Sequence, residues 1–225
     1  VTSGGYPSAD NGSTSDTNAT STISLNTWTH VAVVRSGTTK TYYINGVASG
    51  TATQTPGSSA TVISIGKTQS GSNLWQGYIS NVRFVFGTAV YTTGFTPSSV
   101  PLTSIANTKF LSCNSSSFSD RSPSNLTLSL TSAPTVQKFN PFATVTVPTD
   151  YSGSFNGSTD YISAPDSAVF YLSGDFTVEC WVWINGGTNA IQDIFCQRSA
   201  AGVGTVFAIT YSASVYQQWL WIDGT

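Results

Sequence analysis

Short apolar runs broken by turn residues recur along the whole chain, and helical periodicity is nearly absent. The clearest run is Trp28-Thr29-His30-Val31-Ala32-Val33-Val34-Arg35. Ser36-Gly37 follows as a turn, then Lys40 to Ile44, then Asn45-Gly46. Both of these residues tolerate positive φ, which a tight hairpin requires, so a further strand is expected from Val47. Residues Val62 to Gly66 read as a short strand. In Gly77 to Phe86 the alternation places Tyr78, Ser80, Val82 and Phe84 on one face and Ile79, Asn81, Arg83 and Val85 on the other. A turn-rich stretch from Gly94 to Pro101 reads as a boundary. Beyond it, strands are expected at Lys109 to Cys113, Leu126 to Leu130, Tyr151 to Phe155, Tyr161 to Ala164, Asp175 to Ile184, Ile194 to Cys196, Val206 to Thr210 and Tyr216 to Ile222. Many short strands at this spacing predict an all-β, antiparallel sandwich or jelly roll, with no α-helix beyond a turn or two.

Composition narrows the setting. Of 225 residues, 39% are hydrophobic and 12% aromatic, enough for a packed core. Only 8% are charged, against about 25% in ordinary soluble domains. Such a surface is wetted by hydroxyls, amides and backbone, a habit that suits extracellular fibres and adhesins. Net charge is -2, with no run of Lys or Arg, so nucleic acid is not an expected partner. No apolar stretch approaches the roughly 20 residues of a membrane span, so membrane insertion is not expected either. No signal peptide is visible at Val1, and methionine is absent, which reads as a processed start or an internal fragment. Cys113, Cys180 and Cys196 show no metal spacing. They read as buried free thiols. A Cys180–Cys196 disulfide across a hairpin turning at Gly186-Gly187 stays open as an alternative.

Two stretches resemble known sequence. Thr27 to Arg35, Tyr42 to Val47, Ile65-Gly66-Lys67 and Gly77 to Arg83 resemble the C-terminal half of laminin-G-like, concanavalin A-like jelly rolls. Phe155 to Ile162, Ala164 to Ser167 and Gly174 to Val182 resemble the N-terminal half. The halves stand in reversed order, and Asp120 to Asn125 resembles the turn near such a domain's start. The resemblance therefore implies residues 1–103 as the C-terminal portion of one sandwich and residues 104–225 as the N-terminal portion of the next, joined near residues 97–107. One permuted domain, with Tyr216 to Ile222 meeting Trp28 to Arg35 in one sheet, and completion by a second copy are the alternatives. More narrowly, Asn81 to Tyr91, Phe95-Thr96-Pro97, Leu111-Ser112-Cys113 and Phe139-Asn140-Pro141-Phe142 resemble repeats in virion proteins of marine bacteriophages, notably cyanophages. That resemblance implies a structural and adhesive component of a tail fibre or other appendage, at the virion surface or otherwise extracellular. Its partners would be other virion proteins, copies of itself, or host-surface glycan. A bacterial surface adhesin is the alternative.

The same fold hosts glycoside hydrolases, whose chemistry needs two carboxylates about 5–9.5 Å apart. This chain has a single glutamate, Glu179, at what the resemblance makes a structural position. His30, the only imidazole, lies mid-strand and is expected to pack and hydrogen-bond. No GxSxG elbow is present. The chain is therefore read as no enzyme, with no catalytic or cofactor residues assigned. Laminin-G-like and pentraxin-like relatives sometimes hold calcium at loop aspartates. Asp160 and Asp166, with Asp120, are the positions to weigh, against turn capping by the same side chains. Sugar-stacking candidates are Trp75, in a Ser/Gly-rich loop, and Trp219 with Trp221, all weighed against core packing. Asn-x-Ser/Thr sequons at Asn11, Asn18, Asn114, Asn125 and Asn156 follow from Ser/Thr richness and imply no glycosylation.

Overall fold

The computed structural model describes residues 19–53, 62–68, 71–142, 150–172, 174–186, 191–198, 204–212 and 215–223, with side chains described only as far as residue 209. In chain order the strands are β1 (Thr22–Ile23), β2 (Thr29–Ser36), β3 (Thr39–Ile44), β4 (Val47–Thr53), β5 (Ile63–Ile65), β6 (Gln76–Phe86), β7 (Thr108–Ser112) and β8 (Ser129–Thr131). There follow β9 (Thr135–Gln137), β10 (Ser152–Asn156), β11 (Tyr161–Ala164), β12 (Phe176–Ile184), β13 (Ile191–Arg198), β14 (Gly204–Ser212) and β15 (Val215–Asp223). The only helical element among the described residues is a 3-10 turn, Ala168–Phe170, capped by the Ser167 side chain.

The strands form two antiparallel sheets. One runs β4-β3-β2-β12-β6-β10-β9, with β7 also paired to β6, and the other runs β1-β15-β14-β13-β5-β11-β8. The fold is an all-β, concanavalin A-like sandwich. The Asn45-Gly46 hairpin forms as its residues require, with φ of 49° and 76°.

The two segments divided near residues 97–107 do not build separate cores in this structure. β12 lies between β2 and β6, pairing Val31 with Cys180 and Val33 with Val178. In the other sheet β5 lies between β13 and β11, with Ile65 opposite Ile162. Val31, Val33, Val178, Val182, Ile65 and Ile162 share one buried cluster. The halves complement each other because each inner face is apolar and each leaves a gap one strand wide. The proposed meeting of Tyr216 to Ile222 with β2 is not what forms. β15 pairs β1 instead, in the opposite sheet, with Gln217 opposite Thr22.

β6 departs from simple alternation. Ile79, Val82 and Phe84 point into the core, while Tyr78, Ser80 and Arg83 contact groups on the outer face. The register shifts between Glu179 and Trp181 on the partner strand, and Asn81 stands at φ 56°. Asn81 is thus the extra residue of a β-bulge, which turns the strand by one position. β10 pairs β6 before the bulge and β7 pairs it after.

Cys113, Cys180 and Cys196 are buried and none forms a disulfide. Cys180 points into the main core, whereas Cys196 packs with Val206 and Ala208 in a separate cluster. β12 and β13 lie in different sheets, so no hairpin faces these two thiols toward each other. Gly187 lies outside the described residues. Leu126 to Leu130 is strand only from Ser129, and Leu130 is half exposed on an edge.

Candidate functional site

The outer face of the larger sheet gathers most of the chain's distinctive side chains, because the central strands β2, β12 and β6 present them in register. At its centre Glu179 sits opposite Ala32 on one side and Arg83 on the other. Glu179 is 0% exposed. Its Oε1 accepts from Arg83 Nε at 2.9 Å and Nη2 at 2.5 Å. Its Oε2 accepts from Tyr91 Oη at 2.9 Å and His30 Nε2 at 3.1 Å. An ionised carboxylate only accepts, so His30 carries its hydrogen on Nε2. Burial pushes the Glu179 carboxyl up, but hydrogen bonding from His30 and the Arg83 charge outweigh it and hold the group below its ordinary range. Burial, then the Glu179 charge, pushes the Tyr91 hydroxyl up.

A loop closes over this cluster. Phe95 stacks on Tyr91 with ring centroids 3.5 Å apart and meets the His30 ring edge-on at 5.6 Å. Arg83 Nη1 donates to the Thr103 carbonyl at 3.0 Å. Phe95 N donates to Gly46 O at 2.9 Å, so the Asn45-Gly46 turn docks onto the loop. A Cβ at Gly46 would lie 1.8 Å from Phe95 O, so only glycine fits. Both carboxylate oxygens are therefore occupied by protein groups and sealed from solvent. This arrangement ties strand to loop. His30 takes the packing role expected of it.

A second buried carboxylate lies beyond the bulge. Asp150 accepts from Asn81 Nδ2 at 3.1 and 3.0 Å. Ser80 Oγ donates to Tyr151 O at 2.8 Å, and Asn140 Nδ2 donates to Asp150 O at 3.2 Å. Burial pushes the Asp150 carboxyl up to about 6, against smaller lowering by hydrogen bonds from Asn81, Tyr151 N and Ser80.

Toward the sheet's far end the face is aromatic and open. Trp183 on β12 lies opposite Tyr78 on β6, and Tyr78 lies opposite Ser154, which lies opposite Thr135. Trp28 stands just before β2, its ring 5.9 Å from Trp183. Phe139 meets all three rings, at 4.7 Å from Trp183, 4.9 Å from Tyr78 and 5.3 Å from Trp28. It is nevertheless 41% exposed, and the other three are partly exposed. Composition and alternation did not single out this group, because its four members come from distant segments. The legible signal was Trp-x-Trp in β12, which puts Trp181 and Trp183 on one face.

The sequence candidates fall elsewhere. Trp75 is 0% exposed and belongs to the core, not to a solvent-facing loop. The side chains of Trp219 and Trp221 lie outside the described residues, as do Asn11 and Asn18. Asp120 accepts from the backbone N–H groups of Leu111, Ser122 and Leu126. Asp160 accepts from those of Ala133 and Asn156. Both act as turn caps, and Asp166 accepts from Tyr171 Oη at 3.2 Å. Among the described residues no three His, Cys, Asp or Glu side chains converge as a metal cluster would. Asn114 is buried, while Asn125 and Asn156 are exposed.

Residues 5–90 match the Laminin_G_3 family model of the concanavalin A-like lectin/glucanases superfamily. The match ends just beyond β6, so it spans the segment read as a C-terminal half. A search of curated proteins found no match. A laminin-G-like, concanavalin A-like sandwich is a fold suited to binding carbohydrate or protein.

Proposed function

We propose that this chain is a non-catalytic binding module displayed outside the cell, most specifically on a phage virion appendage. The observation that carries the binding reading is the division of one sheet face. The Glu179 carboxylate at its centre has both oxygens engaged by His30, Tyr91 and Arg83, while its open end is aromatic. A hydrolase of this fold would need an accessible carboxylate pair. Here the exposed chemistry is contact chemistry.

The virion setting is supported by the phage-like phrases from Asn81 to Tyr91 and Phe139 to Phe142, and by a surface poor in charge. The Tyr91 and Phe139 phrases form the loop over Glu179 and the aromatic group, so they lie where a display module needs shaped surface. Binding of the labelled chain to glycan and host-envelope arrays tests the module reading. No specific binder in either array would defeat it. Antibodies against the chain that decorate an appendage of purified phage particles would support the virion setting. Decoration of bacterial envelopes alone would favour an adhesin instead.

A further inference from the structure

We propose that the Trp28–Tyr78–Phe139–Trp183 group is a binding site for an uncharged polysaccharide lying across the strands, an inference that rests on the binding-module reading.

Three observations converge on this ligand class. The first is linear placement. Trp183, Tyr78, Ser154 and Thr135 stand opposite one another on consecutive strands, with Trp28 beside Trp183. Strands lie about 4.8 Å apart, so the row runs roughly 15–20 Å perpendicular to them. The second is chemistry along that row. It begins in rings and continues in hydroxyls, the sequence of contacts that a sugar chain offers on its C–H faces and its rims. Charge is sparse here: Trp183 Nε1 donates to Asn185 Oδ1, Gln137 Nε2 donates to Thr135 Oγ1, and Glu179 is neutralised by Arg83. Lys138, exposed beside Phe139, is a lone cation at the margin. A polyanion would find no cluster of positive charge to hold it.

The third is size and rigidity. One ring standing 41% exposed on three partly covered ones is far smaller than the roughly 800 Å² per partner of a stable protein interface. It matches a few pyranose rings. The exposed phenyl is also fixed in place. Ser152 Oγ donates to Phe139 O at 2.6 Å, Phe142 N donates to Asn140 Oδ1, and the Phe142 ring rests on Trp181 at 5.8 Å. A pre-set aromatic group loses little entropy on binding.

Affinity electrophoresis through gels holding xyloglucan, galactomannan or laminarin, beside gels holding alginate or polygalacturonate, tests the assignment. At least one neutral polysaccharide should retard the protein. Phe139→Ala and Trp183→Ala should each weaken that retardation at least tenfold, and Leu130→Ala, on the other sheet's edge, should not. Near-UV circular dichroism checks folding, and Trp183→Phe serves if the alanine variant does not fold. Retardation by the acidic gels alone, or by none, would overturn the proposal. So would neutral retardation that Phe139→Ala and Trp183→Phe leave unchanged. In that last case the chain still binds glycan, so the module reading survives while this site falls.

Discussion

At the scale of single residues, two of the buried carboxylates, Glu179 and Asp150, act in opposite directions on stability. Glu179 is held below its ordinary range, so its stabilisation is present above the unfolded carboxyl value and lost as pH falls through the folded one. Asp150 is raised from 3.8 to about 6, so the folded state takes up its proton first. Its contribution therefore favours folding below about pH 4 and is lost as pH rises through about 6. These two groups together favour folding most near pH 4, between the loss of the Glu179 contribution at lower pH and of the Asp150 contribution at higher pH. Asp150→Asn keeps an acceptor for Asn81 and removes the charge. It should raise stability at pH 7 by about 1–2 kcal/mol and flatten the decline between pH 5 and 7, as read by denaturant melts. A decline as steep as wild type's would show that another group causes it. Glu179→Gln leaves the Arg83 charge buried and half-paired, and should cost about 3–5 kcal/mol. Intact protein should show no cleavage of laminarin, agarose or cellulose. Cleavage abolished by Glu179→Gln in a folded variant would reverse the non-catalytic reading.

At the scale of elements, the bulge and the docked turn set the outer face. Gly77 stands at φ 141°, where a Cβ would lie 2.0 Å from Trp183 O. Gly77→Ala must push β6 away from β12 beside the aromatic group. Its expected result is a loss of about 2 kcal/mol or more in denaturant melts, with a changed near-UV spectrum. An unperturbed spectrum would mean that the two strands yield without disturbing the rings. Much of this level was legible in the chain. Alternation and turn chemistry located most strands and the Asn45-Gly46 hairpin, because those signals are local. The bulge was not, since an asparagine in a strand pattern reads as a polar outward residue until its partner strand is known. Nor was the aromatic site. Trp28, Tyr78, Phe139 and Trp183 are brought together by pairings between remote segments, and Trp75, whose loop looked exposed, is drawn into the core. Glu179 and His30 were correctly placed in strands, but their shared hydrogen bond spans 149 positions.

At the scale of the whole molecule, the two resembling segments interleave. β12 separates β2 from β6, and β5 separates β13 from β11. Without residues 104–225, the first segment would lack the strand between β2 and β6, and Val31, Val33, Ile79 and Phe84 would face water across an open groove. Without residues 1–103, β12 would lose both neighbours and expose hydrogen-bonding edges on each side. Neither segment then buries enough apolar surface to offset its chain entropy. The chain should therefore unfold in one cooperative transition. Residues 1–103 and residues 104–225, produced separately, should each lack a cooperative melt and show poor amide dispersion by NMR, and co-expression should restore the dispersed spectrum of the whole. A soluble 1–103 segment with its own sharp melt, or two calorimetric transitions in the intact chain, would restore the division into two sandwiches. The same experiment bears on function. Phe139 and Trp183 come from one segment and Trp28 and Tyr78 from the other, so a polysaccharide bound at their junction should raise the melting temperature of the whole chain and bind neither segment alone.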